Sequence, residues 1–495
     1  MVRWWLGLAL LTGLALPAAA QSVIRVGIAN TMNTLDPAKT TNGDEYIYVH
    51  LVFNGLSRID HELQVKPDLA ESWEPSDDLK TWTFKLRRGV KFHHGKVLDA
   101  DDVVATMTRI LDPATGSRAR ANLDMIDKVE SVDPATVRFT LRFPYAGFAD
   151  IFAERQLRIV AKDRLDTLAR EPVGTGPFVM KGWSPGDRME LTKFPDYFET
   201  GLPKADGVAI RIIPEAAARL AALDSGAIDI LWNLPYESVE RYKAGGAVRA
   251  DSISTATWDG VILNNSRPPF DDMRVRQALA ATIDKEAIVD LVLFGQGAPT
   301  LSPIPPSHPY FNSAVKIGAP DIARARKLLA EAGYPNGFDV TMQVPLEREQ
   351  RTRLGVAVRD MAKAAGIRIN VERVPFASYA ARIAGKAQMY VDGYFARPTI
   401  DTAIYPFYHS GGSWNSQLWL YKNARVDEIL DAARRTNDEG ERKKLFGEFQ
   451  AVVDETVPSI IAYSALHANG VRREIEGFRS TPMQWLELKD VTVKR

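Results

Sequence analysis

The chain contains no cysteine among its 495 residues. Without a thiol it can form no disulfide, thiolate nucleophile, iron–sulfur cluster or cysteine-ligated zinc site, and no N-terminal cysteine can carry a lipid. Stability must therefore come from buried cores. At roughly 100–200 residues per domain, the length predicts two to four domains.

An excess of charge of one sign is also missing. Lys and Arg together number 62, as do Asp and Glu, so the formal net charge is zero. Such a chain has no broad basic field to attract nucleic acid or an acidic membrane surface, and we expect neither as a partner. Beyond the first twenty residues, no run of about 18 consecutive apolar residues predicts a membrane-spanning helix.

The first twenty residues, MVRWWLGLALLTGLALPAAA, differ in kind from the rest. Arg3 precedes an apolar run that ends at Leu16, and three alanines follow Pro17. This order is typical of a cleaved secretory signal peptide, with the cut between Ala20 and Gln21. The run is shorter than the roughly 20 residues of a membrane anchor. Export without a lipid anchor predicts a location in a bacterial periplasm.

Helical and strand patterns alternate along much of the remaining chain. A helix, a glycine stop and a strand are predicted over 216–230 and again over 351–374. This alternation predicts α/β lobes, whereas the strand-rich stretch 50–170 predicts a smaller α+β insertion. The other predicted elements are strands at 23–29, 81–92, 136–143 and 338–344, and helices at 45–55, 99–111 (capped by Asp99), 272–293 and 319–334.

Four strings of residues carry a resemblance to a known family. PDLAESWEPSDDLKTWTFKLRRGVKFHHGKVLDADDVV (67–104) resembles a signature of the peptide/nickel-type solute-binding proteins (family 5, cluster C) of bacterial ABC importers. The strings at 173–198, 267–289 and 405–415 match further blocks of that family in the same order. The resemblance therefore covers nearly the whole chain after the signal peptide.

The resemblance implies a type II periplasmic-binding-protein fold, with two α/β lobes joined by two crossing segments and an additional smaller α+β domain. It also implies a monomer without cofactor or catalysis. Its small-molecule ligand would shift the lobes toward a closed state, which the permease of an inner-membrane ABC transporter recognises. The implied divisions are lobe I at 21–50, 173–262 and 466–495, the accessory domain at 51–172, and lobe II at 263–465.

A secreted hydrolase is the rival interpretation, because Gly182-Trp183-Ser184-Pro185-Gly186 satisfies the G-x-S-x-G pattern of a nucleophile elbow. In that elbow the residue after the serine donates a backbone N–H to the oxyanion. Pro185 has no N–H, so the string predicts a turn that joins two strands.

Two other strings could be mistaken for catalytic or metal-binding motifs. Residues 89–97 resemble a phosphate loop but place five residues between the glycines instead of four. His93 and His94 are adjacent, so on a strand they point to opposite faces and cannot chelate one ion. We therefore expect surface histidines and no metal site.

One departure from the family pattern bears on the ligand. The resemblance places a tryptophan at position 394, followed three residues later by an aspartate that captures a peptide's ammonium group. Here these positions hold Tyr394 and Arg397. A guanidinium suits bidentate capture of a carboxylate or phosphate and repels an ammonium.

If Arg397 faces the cleft, we expect a small anionic ligand, such as a modified or acylated amino acid, an opine-like compound or an atypical peptide. Alternatively, Arg397 pairs with Asp401 or another acid and only supports its loop. An ordinary di- or oligopeptide ligand also stays open, as do haem, metal-chelate and sugar ligands.

Further candidate contacts follow from position. Polar or apolar residues just past the first strand lie where open α/β sheets bind ligands. Aromatic side chains near the expected crossings and after the glycine pair at 411–412 offer stacking surface. By the resemblance, Arg348 lies near a carboxylate-binding position, with a solvated helix start as the alternative. The remaining candidates are Thr31, Met32, Asn33, Trp258, Asn264, Tyr405, Trp414 and Asn415.

Overall fold

The computed structural model describes residues 22–41, 43–375, 383 and 385–494. The expected signal peptide at 1–20 lies outside this described part. None of the described helices combines the length and the apolar character that crossing a bilayer requires.

The described strands and helices alternate as an α/β chain. The strands are β1 Val23–Ile28, β2 Ser57–Ile59, β3 Val65–Pro67, β4 Ala70–Pro75, β5 Thr81–Leu86, β6 Ile126–Asp133, β7 Thr136–Leu141, β8 Phe178–Ser184, β9 Arg188–Lys193, β10 Gly207–Ile212, β11 Ile230–Leu231, β12 Val248–Leu263, β13 Gly297–Pro299, β14 Phe338–Pro345, β15 Ile367–Val374, β16 Met389–Tyr394, β17 Ser459–Arg472, β18 Ile475–Glu476 and β19 Thr492–Val493. The helices are α1 Gly43–Val52, α2 Ala100–Leu111, α3 Ala216–Ser225, α4 Tyr236–Lys243, α5 Met273–Ala280, α6 Lys285–Leu293, α7 Ile322–Glu331, α8 Glu349–Ala362, α9 Ile400–Tyr408, α10 Ala424–Arg434 and α11 Glu439–Thr456.

The two predicted helix–glycine–strand units are confirmed. Gly226 ends α3 and Gly366 ends the turn after α8, both in the left-handed region that glycine enters without strain. The predicted cap of α2 is also confirmed, because the Asp99 side chain accepts a hydrogen bond from the backbone N–H of Asp102.

Two predicted elements are shorter than expected. The helical stretch at 272–293 is two helices, because the Asp284 side chain caps α6 by accepting from the backbone N–H of Ala287. The strand expected over 81–92 ends at Leu86 as β5. In the helical stretch, the apolar pattern continues past the capping residue that begins α6.

One large sheet forms the centre of the fold, in the order β15-β14-β16-β12-β17-β11-β1-β10-β9-β8. On one side β14 runs parallel to β15 and β16, and on the other β1 runs parallel to β10 and β11. The long antiparallel strands β12 and β17 lie between these parallel groups. The divisions expected at 262/263 and 465/466 fall within these two strands.

The pairing of β12 with β17 is not regular along its whole length. Its register shifts between Ser254 and Trp258, and again between Asp259 and Gly260. Such irregularities bend a strand and increase its local twist.

Residues 51–172 contain a separate antiparallel sheet, in the order β4-β5-β7-β6. A group of mutually packed rings lies in its core, with centroids 5.1–5.4 Å apart for most pairs, and its members are Phe84, Phe139, Phe148 and Phe152. Burying each ring contributes roughly 1.5–3 kcal/mol. This part of the chain therefore has an apolar core of its own.

The G-x-S-x-G string forms the predicted turn, because β8 ends at Ser184 and β9 begins at Arg188. His93 differs from the expected surface histidine. Its Nε2 lies 3.0 Å from the Gly176 carbonyl oxygen, and its Nδ1 accepts from the backbone N–H of Gly174 at 3.4 Å. Burial lowers the pKa of His93 to about 4. The neutral ring therefore braces the loop at 174–176 rather than facing solvent.

Candidate functional site

A cavity of 380 Å³ opens where the inserted region meets the part of the chain after β12. Small-molecule sites commonly enclose about 300–1,000 Å³. The volume therefore suits a small organic ligand. The walls come from residues 63–65, 146–150, 254–256 of β12, 303–310, 397–403, 437–442 and 482–483.

Arg397 lines this cavity, three residues beyond the end of β16. Its Nη1 lies 3.4 Å from Oε2 of Glu154. The other oxygen of that carboxylate accepts hydrogen bonds from the backbone N and the Nε of Arg155, at 3.0 and 2.9 Å. One carboxylate therefore serves two guanidinium groups. This arrangement, here called the Glu154 triad, carries a surplus positive charge beside the cavity.

The pKa of Glu154 reflects the two positive charges beside it. Burial by itself would raise the pKa of Glu154, but the charges of Arg155 and Arg397 outweigh it and lower that pKa to about 2. The carboxyl group is thus ionised throughout the physiological range.

Arg155 holds the triad in place from the inserted region. Its side chain is 2 % exposed, its Nη2 donates to the Ala396 carbonyl oxygen at 2.9 Å, and its guanidinium lies 4.0 Å from the centre of the Tyr46 ring. It therefore connects α1, the inserted region and the segment that carries Arg397.

Asp401, considered above as a partner of Arg397, is occupied elsewhere. Its Oδ2 lies 2.9 Å from Nη2 of Arg442, and its Oδ1 lies 3.9 Å from Nε of Arg434. The acid beside Arg397 is Glu154 instead. Asp401 is four residues away in sequence, but its place in the first turn of α9 directs it to a different arginine pair.

Three of the predicted aromatic residues lie together. Trp258 in β12 is directly opposite Tyr394 in β16, with ring centroids 5.3 Å apart, and Trp414 lies 5.6 Å from Tyr394. The Tyr394 hydroxyl donates to Asp392 at 3.3 Å. These rings lie at the end of β16 that leads to Arg397, and they are absent from the described lining of the cavity.

Arg348 lies just before α8, outside the cavity wall. Its side chain is exposed, and the carboxylates of Asp44, Asp259 and Asp392 are near enough to act on its charge. Asp44 belongs to α1 and the other two belong to β12 and β16. Arg348 therefore lies near acids of α1 and of two central strands, and it stays a predicted ligand contact.

Arg351, three residues further, is held in a tighter arrangement. Its Nε lies 2.7 Å from Asp259, its Nη1 lies 2.7 Å from Asp392, and its Nη2 donates to the Gly393 carbonyl oxygen at 2.7 Å. The Tyr463 hydroxyl also donates to Asp259, at 2.8 Å. We call this set the Arg351 cluster. It ties β12 to β16 and α8.

Three other predicted residues make local contacts. The buried amides of Asn264 and Asn415 each donate to two main-chain carbonyl oxygens, at 3.2 Å for Asn264 and at 2.7 and 2.9 Å for Asn415. The Tyr405 ring lies 3.1 Å from the Arg434 guanidinium and stacks on His409. These groups brace loops and helices, and their contact with a ligand stays a prediction.

The three residues predicted just past β1 are also away from the described cavity lining. Met32 is buried in the core around β1. The Thr31 hydroxyl accepts from the backbone N–H of Gly186 at 2.8 Å. The backbone N–H of Asn33 donates to Glu45 at 3.0 Å, while its side chain is exposed. Of these, Asn33 has the side chain most accessible to a ligand.

Sequence reasoning missed Asp150, Glu154 and Arg155, which lie more than 240 positions before Arg397. A signal was present in DIFAERQLRIV (150–160), where charges interrupt an apolar run. Charged residues in such a setting are buried only with partners. The string therefore indicated that one of its charged residues is paired inside the protein, but it could not indicate that Arg397 is the distant partner.

The described residues also bear on whether the protein could hold a metal ion. No three His, Asp or Glu side chains in that part of the chain come together in a way that could hold a metal ion.

The match to a protein family decides the identity of the chain. The family model of the bacterial extracellular solute-binding proteins, family 5 (middle region), matches residues 64–415. The chain belongs to this family. Proteins of this type bind small ligands and deliver them to the permease of an ABC importer. The predicted family and transport role are therefore confirmed.

Individual family 5 relatives cover nearly the whole chain. It is 29% identical over 490 residues to the glutathione-binding protein GsiB of Escherichia coli (strain K12), covering 96% of this chain and 95% of GsiB.

Two solved family 5 structures from A.tumefacien R10 are similar throughout. AgaA in complex with agropinic acid has a TM-score of 0.84 and 27% identity, covering 96% of this chain and 99% of AgaA. MoaA in complex with mannopinic acid has a TM-score of 0.82 and 29% identity, covering 96% and 100%. These likenesses confirm the predicted fold class, a type II periplasmic-binding-protein fold.

Proposed function

We propose that this family 5 protein captures a small organic anion and that Arg397 binds the anionic group. The observation that carries the proposal is the Glu154 triad. Arg397 borders the cavity, and its acid partner, 3.4 Å away, is shared with Arg155. A guanidinium with spare hydrogen-bond donors and surplus charge is suited to a carboxylate.

The ligands of the relatives agree with an acidic ligand. GsiB is named for glutathione, and the AgaA and MoaA structures hold agropinic acid and mannopinic acid. A peptide-like or modified amino acid with at least one free carboxylate is therefore the class that we propose for this chain.

Lobe closure would couple binding to transport. In this proposal, lobe I (21–50, 173–262 and 466–495) and lobe II (263–465) close on the ligand, with 51–172 as the accessory domain. The crossing strands β12 and β17 support these divisions, because β12 pairs with β16 of one parallel group, β17 pairs with β11 of the other, and the two strands pair with each other. A ligand that contacts both lobes only when they are closed shifts the equilibrium toward the state that the permease recognises.

We further propose that the protein is a periplasmic monomer without catalytic activity, and that its signal peptide is removed on export. The turn geometry of the G-x-S-x-G string supports the last point, because Pro185 offers no N–H to an oxyanion. Incubation of the loaded protein followed by mass spectrometry should return the ligand unchanged. Recovery of a cleaved product would support the hydrolase interpretation.

A thermal-shift screen of the mature protein tests the ligand class. The panel contains organic acids, acidic peptides and the same peptides with amidated carboxyl groups. Ligand at about 1,000 times its dissociation constant should stabilise the protein by roughly 4 kcal/mol. We expect shifts with free acids and weaker ones with their amides. Strong shifts with amidated peptides alone would contradict the proposal.

A further inference from the structure

A second charged group of the cavity, Asp150, has no partner for its carboxylate. Asp150 begins the 3₁₀ turn Asp150–Ala153 and lines the cavity with Gly147. Within the described part of the chain, no side chain or backbone N–H makes a hydrogen bond or ion pair with this carboxylate. The residue is half-buried, and a carboxylate partly withdrawn from water is favoured by a cation or hydrogen-bond donor beside it.

The nearest arginine does not fill this role. Arg442 also lines the cavity, but its Nη2 binds Asp401 at 2.9 Å. Burial raises the pKa of Asp150 to about 7, an effect that Arg442 opposes and the charge of Asp401 reinforces. Near pH 7 the carboxyl group is therefore partly protonated without a cation beside it, and an added cation would favour its ionised form.

Two acids line the cavity, and Asp150 is the less exposed of them. Glu439 lines the wall but is exposed. His308 is neutral near pH 7, because burial lowers its pKa to about 4. The cavity thus presents surplus positive charge at the Glu154 triad and an unpaired acid at Asp150.

We infer that the ligand is dipolar, with an anionic group bound by Arg397 and an ammonium or other cationic N–H donor bound by Asp150. This inference rests on the proposed function, since it assigns the second group of the same ligand. It narrows the ligand from organic acids in general to amino acids, their conjugates and peptides that keep a basic nitrogen.

Matched pairs of probes test the inference by calorimetric titration. Each pair is a free amine and its N-acetyl derivative: glutamate and N-acetylglutamate, glutathione and N-acetylglutathione, and a glutamyl dipeptide and its acetylated form. For the pairs that bind, we expect the free amine to bind at least about tenfold more tightly, the size of one charge-assisted hydrogen bond.

Variants then assign the preference to Asp150. Asp150→Asn should weaken the free amine at least about tenfold and leave the acetylated probe unchanged, which removes the preference. Glu439→Gln is the matched control, since it neutralises an exposed acid of the same cavity and should keep the preference. Arg397→Ala should weaken both members of each pair.

A separate readout excludes a merely structural role. Because Asp150 has no partner to lose, Asp150→Asn should melt at the same temperature as the wild type at pH 8, or higher. A melting temperature lower by more than about 3 °C, with both probes equally weakened, would overturn the inference.

The two proposals fail in different ways. Equal affinity for both members of each pair, with Arg397→Ala still weakening both, would overturn the dipolar ligand and keep the organic anion. The wild type should bind at least one of the six acids at a ligand concentration of 5 mM or below, roughly the weakest useful range for a transport ligand. If it binds none of them, the proposed function and the inference are overturned together.

Discussion

Two arginine sites of this protein use the same chemical groups in opposite ratios. In the Arg351 cluster, one guanidinium bridges two carboxylates and a carbonyl oxygen, each at 2.7 Å. In the Glu154 triad, one carboxylate serves two guanidinium groups, and Arg397 is 3.4 Å from it. The first arginine is held by three fixed partners, whereas the second, at the cavity, is the one that we propose as a ligand contact.

The pKa values of the acids in the two sites shift in opposite directions. Burial raises the pKa of Asp392, and the charge of Arg351 only partly opposes it. The pKa of Glu154 falls to about 2, because two arginines overcome the effect of burial. The ratio of acids to arginines, and not burial alone, therefore distinguishes a structural arginine from a candidate ligand-binding one.

The largest expected effect comes from breaking the Arg351 cluster. Arg351→Met should lower the free energy of unfolding by about 3–5 kcal/mol, because buried Asp259 and half-buried Asp392 would lose the guanidinium that binds both of them. Urea denaturation measures this loss. Arg359→Ala is the control, since its pair with Asp360 is exposed and should contribute under about 1 kcal/mol. Equal losses in both variants would contradict the comparison.

The second-largest expected effect is the weakening of the Glu154 triad by acid. The lowered pKa of Glu154 contributes stability that is full above about pH 4.5 and is lost as the pH falls toward 2. The difference between 4.5 and about 2 corresponds to roughly 3 kcal/mol. Urea titrations at several pH values between 2 and 6 measure the free energy of unfolding. This free energy should depend less steeply on pH in Glu154→Gln than in the wild type. Identical slopes would mean that the triad does not perturb Glu154.

Arg397→Ala should separate binding from stability. Loss of one charged hydrogen-bonding group should reduce affinity for the identified acid by about 10- to 150-fold, or roughly 1.5–3 kcal/mol. The fold should be barely affected, because Glu154 keeps Arg155 as its partner. Calorimetry and denaturation on the same samples measure both quantities. Unchanged affinity would place Arg397 outside the binding site.

The smallest expected effect concerns the aromatic group at the end of β16. Tyr394→Phe removes one hydroxyl that donates to Asp392 at 3.3 Å, and should cost about 0.5–1.5 kcal/mol of stability. Ligand affinity should change less than about twofold, because the ring and its packing against Trp258 remain. A tenfold loss of affinity would instead make the hydroxyl a direct ligand contact.

Local sequence signals predicted the elements of the fold but not the partners within the site. Asp99, Gly226 and Gly366 each mark an element end, because capping and left-handed glycine depend on a few neighbouring residues. The helix break before α6 was missed although Asp284 is also a capping residue, since the apolar period continues across it.

The candidate site depends on contacts that are distant along the chain. Glu154 and Arg397 are 243 positions apart, and their meeting depends on how the inserted region packs on the segment after β16. Residue type could indicate that Arg397 is unusual, but a surplus of arginine over carboxylate is a property of the assembled groups. Asp150 carries no motif, and only the cavity gives it significance.

The irregular pairing of β12 with β17 has a mechanical consequence. The register shift between Ser254 and Trp258 coincides with the stretch 254–256 that lines the cavity. A molecule in the cavity would therefore contact β12 directly, at the place where its pairing with β17 is irregular. If the lobes close about these strands, as proposed, the size of the ligand at that point would limit their bending. An oversized ligand would then hinder closure even when its charges are paired.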